Sequence, residues 1–216
     1  MKNVQNFSEQ KHLDNLIPFS ARNSALIEIK HQQIVNGACE LFIDKGFFRT
    51  SIREIARASR MSMGQLYHYI SSKDDILFLV YRNMEKIWME HLISIGIEEI
   101  EDPFEKLLKA LRSTIEYMVE NKKLNQFFYT ETKFLEKKQL RVALERFDKN
   151  FVGFWRRILK EVNKQKPVKI DVNFAAATIS YLMFFIPLSG WNLKSKSKKN
   201  INYLADFILR GLGIVS

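Results

Sequence analysis

A chain of 216 residues can bury a core and suits one small module joined to one larger body. Its 46% hydrophobic and 27% charged content excludes global disorder, while a formal charge of +10 and a pI near 9.6 point to an anionic partner such as nucleic acid or a membrane surface. A single cysteine, Cys39, excludes a disulfide framework and fits a reducing cytoplasm.

Residues 1–29 mix Lys2, Lys11 and Arg22 with Glu9, Asp14 and Glu28 and lack the apolar run of a signal peptide, so they read as an N-terminal leader. From about Ser24 to Lys45, Ile27, Ile34, Val35, Ala38, Leu41 and Phe42 recur at helical spacing, and Gly46 supplies a stop. Thr50 to Ala58 is a short amphipathic helix that opens on a capping hydroxyl and turns Ile52, Ile55 and Ala56 to one side. Four residues, Ser59-Arg60-Met61-Ser62, separate it from Met63 to Ile70, where helical spacing resumes. Two short helices joined by so tight a turn make a helix-turn-helix, whose second helix enters the DNA major groove.

That placement makes Met63, Gly64, Gln65, Tyr67 and His68 the candidates for groove contact, with Ser62 opening the helix. Gln65 suits adenine, which offers a matching donor and acceptor, although an exposed glutamine on any helix looks the same. Gly64 admits close approach of backbone to DNA, whereas Tyr67 competes with simple packing against the next helix. Thr50 and Lys73 stand at helix N-termini, where backbone amides favour phosphate. Arg53, Arg57 and Arg60 add charge nearby, and the stretch from Phe42 to Lys73 carries six basic against two acidic residues, a net of +4.

These residues resemble the tetracycline-repressor-like (TetR/AcrR) transcriptional regulators. The likeness rests on Ile34 with Ala38, Leu41-Phe42, Gly46-Phe47, Thr50-Ser51, Ile55-Ala56, Ser62-Met63-Gly64, Leu66-Tyr67-His68-Tyr69 and Ser72-Lys73-Asp74. Arg60 stands where the family's turn has Gly, Ser59 where it has Ala, and Ile70 where it has Phe. The resemblance implies an all-α fold, with a three-helix DNA-binding domain over 30–76 and a helical ligand-binding and dimerisation domain over 77–216. It also implies phosphate and groove contacts at Tyr67 and His68, and a connecting helix that couples ligand to the reading domain.

Beyond the reading unit, Ser71 to Asp75 reads as the start of a long helix with Ile76, Leu77, Val80, Met84, Ile87, Trp88 and Leu92 as its buried stripe. Gly96 to Pro103 breaks the chain, and Pro103 opens a helix carrying Phe104, Leu107, Leu108, Leu111, Ile115, Met118 and Val119. The body is rich in aromatic residues, which serve as core first and as pocket lining second. Trp88, Phe127, Phe128, Glu131, Phe134, Phe154, Trp155 and Phe184 are the candidate ligand-binding residues, with Lys137, Lys138, Arg141, Arg156 and Arg157 as possible anchors for an anionic head group. Long helices are expected over Lys138 to Val162 and Asp171 to Ser189, the pair with apolar surface to spare for a dimer bundle, the latter within an apolar run, Phe174 to Trp191, at the lower limit for spanning a bilayer. Pro187, Gly190 and Ala175 to Ala177 favour a helix buried in protein. Lys194 to Lys199 reads as a basic loop before a last amphipathic helix with Tyr203, Leu204, Phe207, Ile208 and Leu212.

His12, His31, His68 and His91 show no metal-ligand spacing, and no nucleophile-base pair or phosphate loop appears, so neither metal, cofactor nor enzymatic activity is expected. The reading is a cytoplasmic, homodimeric repressor that binds double-stranded operator DNA and is released by a small effector, without a membrane partner. Glu131-Thr132-Lys133-Phe134-Leu135 with Gly190-Trp191 resembles relatives that answer to acyl-CoA thioesters. The alternative is a ligand-independent architectural DNA-binding protein.

Overall fold

The computed structural model describes residues 24–168, 170–189, 193 and 198–214. The leader up to residue 23, the Gly190-Trp191 pair and most of the Lys194–Lys199 loop therefore lie outside the described residues. Among those described, every regular element is helical. They form two compact units, one running to Met84 and including Thr130–Leu144, the other made of Glu85–Tyr129 and the chain from Glu145 onward.

In the first unit, α1 (Ser24–Lys45) buries Ile27, His31, Ile34, Val35, Ala38 and Phe42. It ends at Gly46, whose φ of 79° is the left-handed conformation that costs glycine least. α2 (Ile52–Ala58) and α3 (Met63–Tyr69) have seven residues each, too few to persist alone. Both begin with a capping box. In α2 the Ser51 hydroxyl accepts from Glu54 N–H while the Glu54 carboxylate accepts from Ser51 N–H; in α3 Ser62 and Gln65 do the same.

α2 ends with Arg60 N–H bonded to Arg57 C=O and Met61 N–H to Ala56 C=O, the paired bonds of a Schellman stop. The motif needs a left-handed residue between them, and Arg60 takes it at φ 53°. The arginine in place of the expected glycine thus leaves the turn intact at a cost of roughly 1 kcal/mol. Helix α1 braces both ends: Gln33 Nε2 donates to Ser59 C=O at 2.6 Å, and His31 Nε2 lies 3.2 Å from Tyr69 C=O. Because a carbonyl only accepts, that histidine nitrogen carries the proton.

The connecting helix α4 (Lys73–Ser94) departs from its expected stripe. Ile76 through Tyr81 are buried without interruption, whereas Ile87 is 40% exposed. The unbroken burial at the start of α4 has a non-local partner: Thr132 reaches Tyr81 and Gln139 reaches Asp75. Burial pushes the Tyr81 phenol well above its ordinary range, with the Thr132 hydrogen bond opposing that rise.

The second unit holds the large core. α5 (Pro103–Glu120) starts at Asp102, whose carboxylate accepts from Glu105 N–H, with Pro103 in the first turn as expected. α6 (Lys122–Glu131) follows, tied back through buried Asn125 to the carbonyls of Met118 and Asn121. The expected long helix over Lys138–Val162 is instead α7 (Lys137–Arg146), a π-helical turn (Phe147–Val152) and α8 (Gly153–Gln165). Arg146 just before the widened turn and Asn150 within it both donate to Glu85. The expected helix over Asp171–Ser189 likewise divides into α9 (Val172–Leu182) and α10 (Phe185–Ser189). Pro187 accounts for the division: it has no N–H to offer Met183 C=O and is tolerated in the first turn of a new helix. Val172–Ser189 is apolar and long enough to cross a membrane by composition, but Ala175, Ala176, Ile179, Met183, Phe184 and Ile186 are buried in the core of this unit. α11 (Lys198–Gly211) packs through Ile201, Leu204, Ala205, Ile208 and Leu209.

Helix α1 meets the end of α2 at Gly37, where a Cβ would stand 2.4 Å from Ser59 Oγ, 2.7 Å from Ser59 N and 2.9 Å from Ala58 C. Two of those atoms are backbone and cannot rotate away. Gly37→Ala is expected to destabilise the first unit by about 1–3 kcal/mol despite alanine's better helix propensity. Urea unfolding of the variant against the parent measures it, and an unchanged midpoint would mean that the two helices separate freely.

Candidate nucleic-acid interface

α3 presents one face to the protein and the other to solvent. Leu66 is fully buried, Ile70 just beyond the helix is too, and Gly64, Gln65, Tyr67 and His68 are exposed, with Met63 half-buried. The sequence spacing therefore brings the five expected groove residues onto one helix with its open side outward. Tyr67 is 48% exposed, so its ring is available rather than consumed by packing. His68 lies edge-on to Tyr69 at 5.0 Å between centroids.

Gln65 has a second role. Its Oε1 accepts from Ser62 N–H at 2.9 Å, and its own N–H donates to Ser62 Oγ at 3.1 Å. A bidentate pair with adenine needs both ends of the amide. Only Nε2 is outside the capping box, so full base readout requires the amide to leave the helix start or share its oxygen. Ser62, although it accepts from Gln65 N–H, keeps a hydroxyl proton that can go to a phosphate.

Thr50 departs from the expectation of phosphate contact. It is 1% exposed, and its hydroxyl donates inward to Gly46 C=O at 2.9 Å and Leu41 C=O at 3.2 Å, filling carbonyls at the end of α1. The exposed hydroxyl at the start of α2 belongs to Ser51, a position the sequence reading passed over because either residue satisfies a cap pattern. Arg53, Arg57 and Arg60 are exposed. Glu54 is held at about 2 by hydrogen bonds from Lys45 and Ser51, so it stays ionised and keeps Lys45 paired at 2.6 Å.

Lys73 opens α4 with its Nζ 4.3 Å from the centroid of the Phe47 ring. Desolvation lowers its pKa, with Asp74 opposing. The ring face orients the ammonium without neutralising it, which leaves its charge for a phosphate.

The candidate effector residues separate into two groups. Trp88, Phe127, Phe154, Trp155 and Phe184 are buried in the second unit, with Trp88 edge-on to Phe154 at 5.2 Å and half-buried Phe128 stacked on Phe184 at 5.9 Å. Phe154 also borders a cleft of about 330 Å³ whose charged walls include Glu98, Glu101, Lys106 and Arg157. Glu131 and Phe134 lie in the first unit: Glu131 Oε2 accepts from Phe47 N–H at 3.2 Å, and Phe134 meets Phe48 edge-on at 4.4 Å. Sequence reading missed their partners, and also Asp75 and Gln139, because nothing local marks a contact across 64 residues.

Residues 34–80 match the profile described as bacterial regulatory proteins, tetR family. Residues 34–80 thus carry a segment similar to that family. A segment of 86 residues is 38% identical to the HTH-type transcriptional regulator HbdR of Aromatoleum sp. (strain CIB), spanning 40% of this chain and 37% of that relative. The chain thus matches little more than a third of that protein's length. Over the whole fold, it is similar to AibR solved in complex with isovaleryl coenzyme A and operator DNA, with a TM-score of 0.67 and 22% identity over 85% of this chain and 98% of that one. FadR from Bacillus subtilis, solved with stearoyl-CoA, gives a TM-score of 0.68 and 20% identity over 83% and 98%. At such identities the two structures establish a shared fold.

Two Gln65 variants separate its roles. Gln65→Glu keeps an acceptor in the capping box and is expected to leave the melting temperature near that of the parent while weakening DNA binding, because a carboxylate meets phosphates and loses the amide donor. Gln65→Ala removes both functions and is expected to relax base preference at one position by about 1–3 kcal/mol. Lys73→Ala instead weakens all duplexes alike and lowers the salt slope by about one. Anisotropy titrations across a salt series, beside thermal melts, check the set; equal losses on specific and random DNA would remove Gln65 from the base-reading residues.

Proposed function

We propose that this chain is a cytoplasmic, ligand-responsive transcriptional repressor that binds a palindromic operator as a homodimer. The observation that carries the reading is α3 itself: seven residues, capped at its start, with Gln65, Tyr67 and His68 exposed and Arg53, Arg57 and Arg60 exposed nearby. So short a helix reads few bases, and two copies on a two-fold axis present them about 34–36 Å apart, one turn of DNA.

A surface for that second copy is available in the second unit. Phe174, Tyr181 and Phe185 recur along α9 and α10 at 64%, 63% and 43% exposure, and Tyr203 and Phe207, one turn apart on α11, are 58% and 66% exposed. Exposed large aromatics recurring along one side of a helix are what such a contact surface would use. Their burial between two copies would complete the body as a dimer.

For the effector we infer an acyl-CoA thioester. AibR and FadR, which share the fold, were solved with isovaleryl coenzyme A and stearoyl-CoA. In this chain the aromatic residues of the second unit suit an acyl chain, and Lys106 and Arg157 beside Phe154 suit phosphates. Glu98, Glu101 and Glu161 in the same cleft oppose an anion, and Lys106 lies 3.7 Å from Glu98, so the head group would have to displace that pair or rely on Arg157 and Lys160. To shift a population from mostly bound to mostly free, the effector must prefer one conformation by about 5.5 kcal/mol.

Phe207→Glu is expected to give monomers by sedimentation and to weaken operator binding at least tenfold while leaving helix content intact. Operator fragments come from the DNA upstream of the chain's own gene or from selection, and preference over a scrambled duplex by more than about a thousandfold is the expected signature of specific recognition. Equal, salt-sensitive binding to every duplex would instead assign an architectural role. A thermal-shift series with acyl-CoAs of increasing length tests the effector: an excess of 100 times the dissociation constant stabilises by about 2.7 kcal/mol, and no shift at any length overturns the thioester.

A further inference from the structure

We propose that Gln139 is a positioning residue whose bond to Asp75 latches residues 130–144 onto the start of α4 and holds the reading unit in its DNA-competent form. The proposal rests on the repressor reading above.

Asp75 is a carboxylate only 4% exposed. Its Oδ2 accepts from Ser71 N–H at 2.8 Å and Ser72 N–H at 2.9 Å, the two residues that follow Ile70 at the end of α3. Its Oδ1 accepts from Gln139 Nε2 at 2.7 Å. One carboxylate therefore joins the exit of the recognition helix, the start of the connecting helix and a segment distant in sequence.

Gln139 is itself 7% exposed, and its amide works in one orientation only. Reversed, the carbonyl oxygen would oppose the carboxylate. In the working orientation Oε1 is buried with no protein partner among the described residues. A strong bond to a charged acceptor is thus set against an orphaned acceptor of its own. The two largely offset each other, which is the balance a reversible contact requires and a permanent one avoids.

The same segment makes companion contacts: Glu131 with Phe47 N–H, and Phe134 with Phe48. At both ends it runs on, through α6 and through α7, into residues of the second unit. The segment is therefore joined through the chain itself to the second unit at both ends, and through Asp75 to the residues that end α3.

The test uses the full chain. Gln139→Glu removes the donor and opposes two carboxylates. Adding Asp75→Asn restores a bond in the reverse sense, because the introduced amide oxygen still accepts from Ser71 and Ser72 while the amide nitrogen donates to the introduced carboxylate. Gln139→Met removes the bond without adding charge. Affinity is measured by anisotropy on a duplex that the parent protein selects from random DNA, and docking of the segment by deuterium uptake over 130–144. Gln139→Glu and Gln139→Met are each expected to bind about tenfold more weakly, equivalent to about 1.4 kcal/mol, and to exchange faster over 130–144. The double variant, Asp75→Asn with Gln139→Glu, is expected to return within about threefold of the parent and to recover protection, a rescue that a merely structural lesion does not show. Parent-like affinity in Gln139→Met, or a double variant no better than Gln139→Glu while melting like the parent, overturns the latch. If the parent selects no duplex, the repressor reading fails by itself, and the exchange data still decide whether the segment is latched.

Discussion

Two helices of seven residues make a DNA-reading element only if nearly every terminal backbone group finds a partner, since neither helix can sustain itself. That constraint organises the first unit. Each helix opens with a serine capping box, α2 closes with a Schellman stop, and α1 supplies Gln33 and His31 to the carbonyls of Ser59 and Tyr69. The next helix begins by the same rule, with Asp75 collecting the amides of Ser71 and Ser72. Gly37 is the steric counterpart, because α1 reaches the end of α2 only where no Cβ intervenes.

Meeting that constraint with so few residues gives several of them two tasks. Gln65 completes a cap with the atom that base readout also requires, and Arg60 holds a left-handed turn while placing a charge at the surface. Lys73 rests against the Phe47 ring at a helix start where phosphate is favoured. Stability and the proposed recognition therefore draw on the same side chains, so substitutions that separate them carry more information than truncations that remove both.

The second unit follows another logic. Its core is closed by aromatic pairs around Trp88, Phe151, Phe154 and Trp155, and its helices bend where covalent or hydrogen-bonding geometry obliges them to: at Pro187, and at the π turn between Arg146 and Gly153. A widened turn costs regular hydrogen bonding and gains register, here bringing Arg146 and Asn150 to the same carboxylate of Glu85. The aromatics that remain outside the core, Phe174, Tyr181 and Phe207 among them, are what a second copy of the chain would cover.

By itself the sequence determined everything that is encoded within a turn or two of helix. The stop at Gly46, the tight turn at Ser59 to Ser62, the outward face of α3 and the start at Pro103 all follow from spacing and backbone chemistry, and the likeness of residues 34–80 to the tetR profile is legible in the same stretch. Tertiary structure decided what depends on a distant partner. Thr50 and Ser51 are equivalent as caps until packing turns one hydroxyl toward Leu41 and leaves the other at the surface. Ile87 belongs to a helical stripe by spacing yet is 40% exposed in the fold, and Gln139 is an ordinary polar residue until it lies 2.7 Å from a buried carboxylate. Periodicity records which residues prefer to be buried, whereas the identity of the neighbour that buries them is a property of the folded chain.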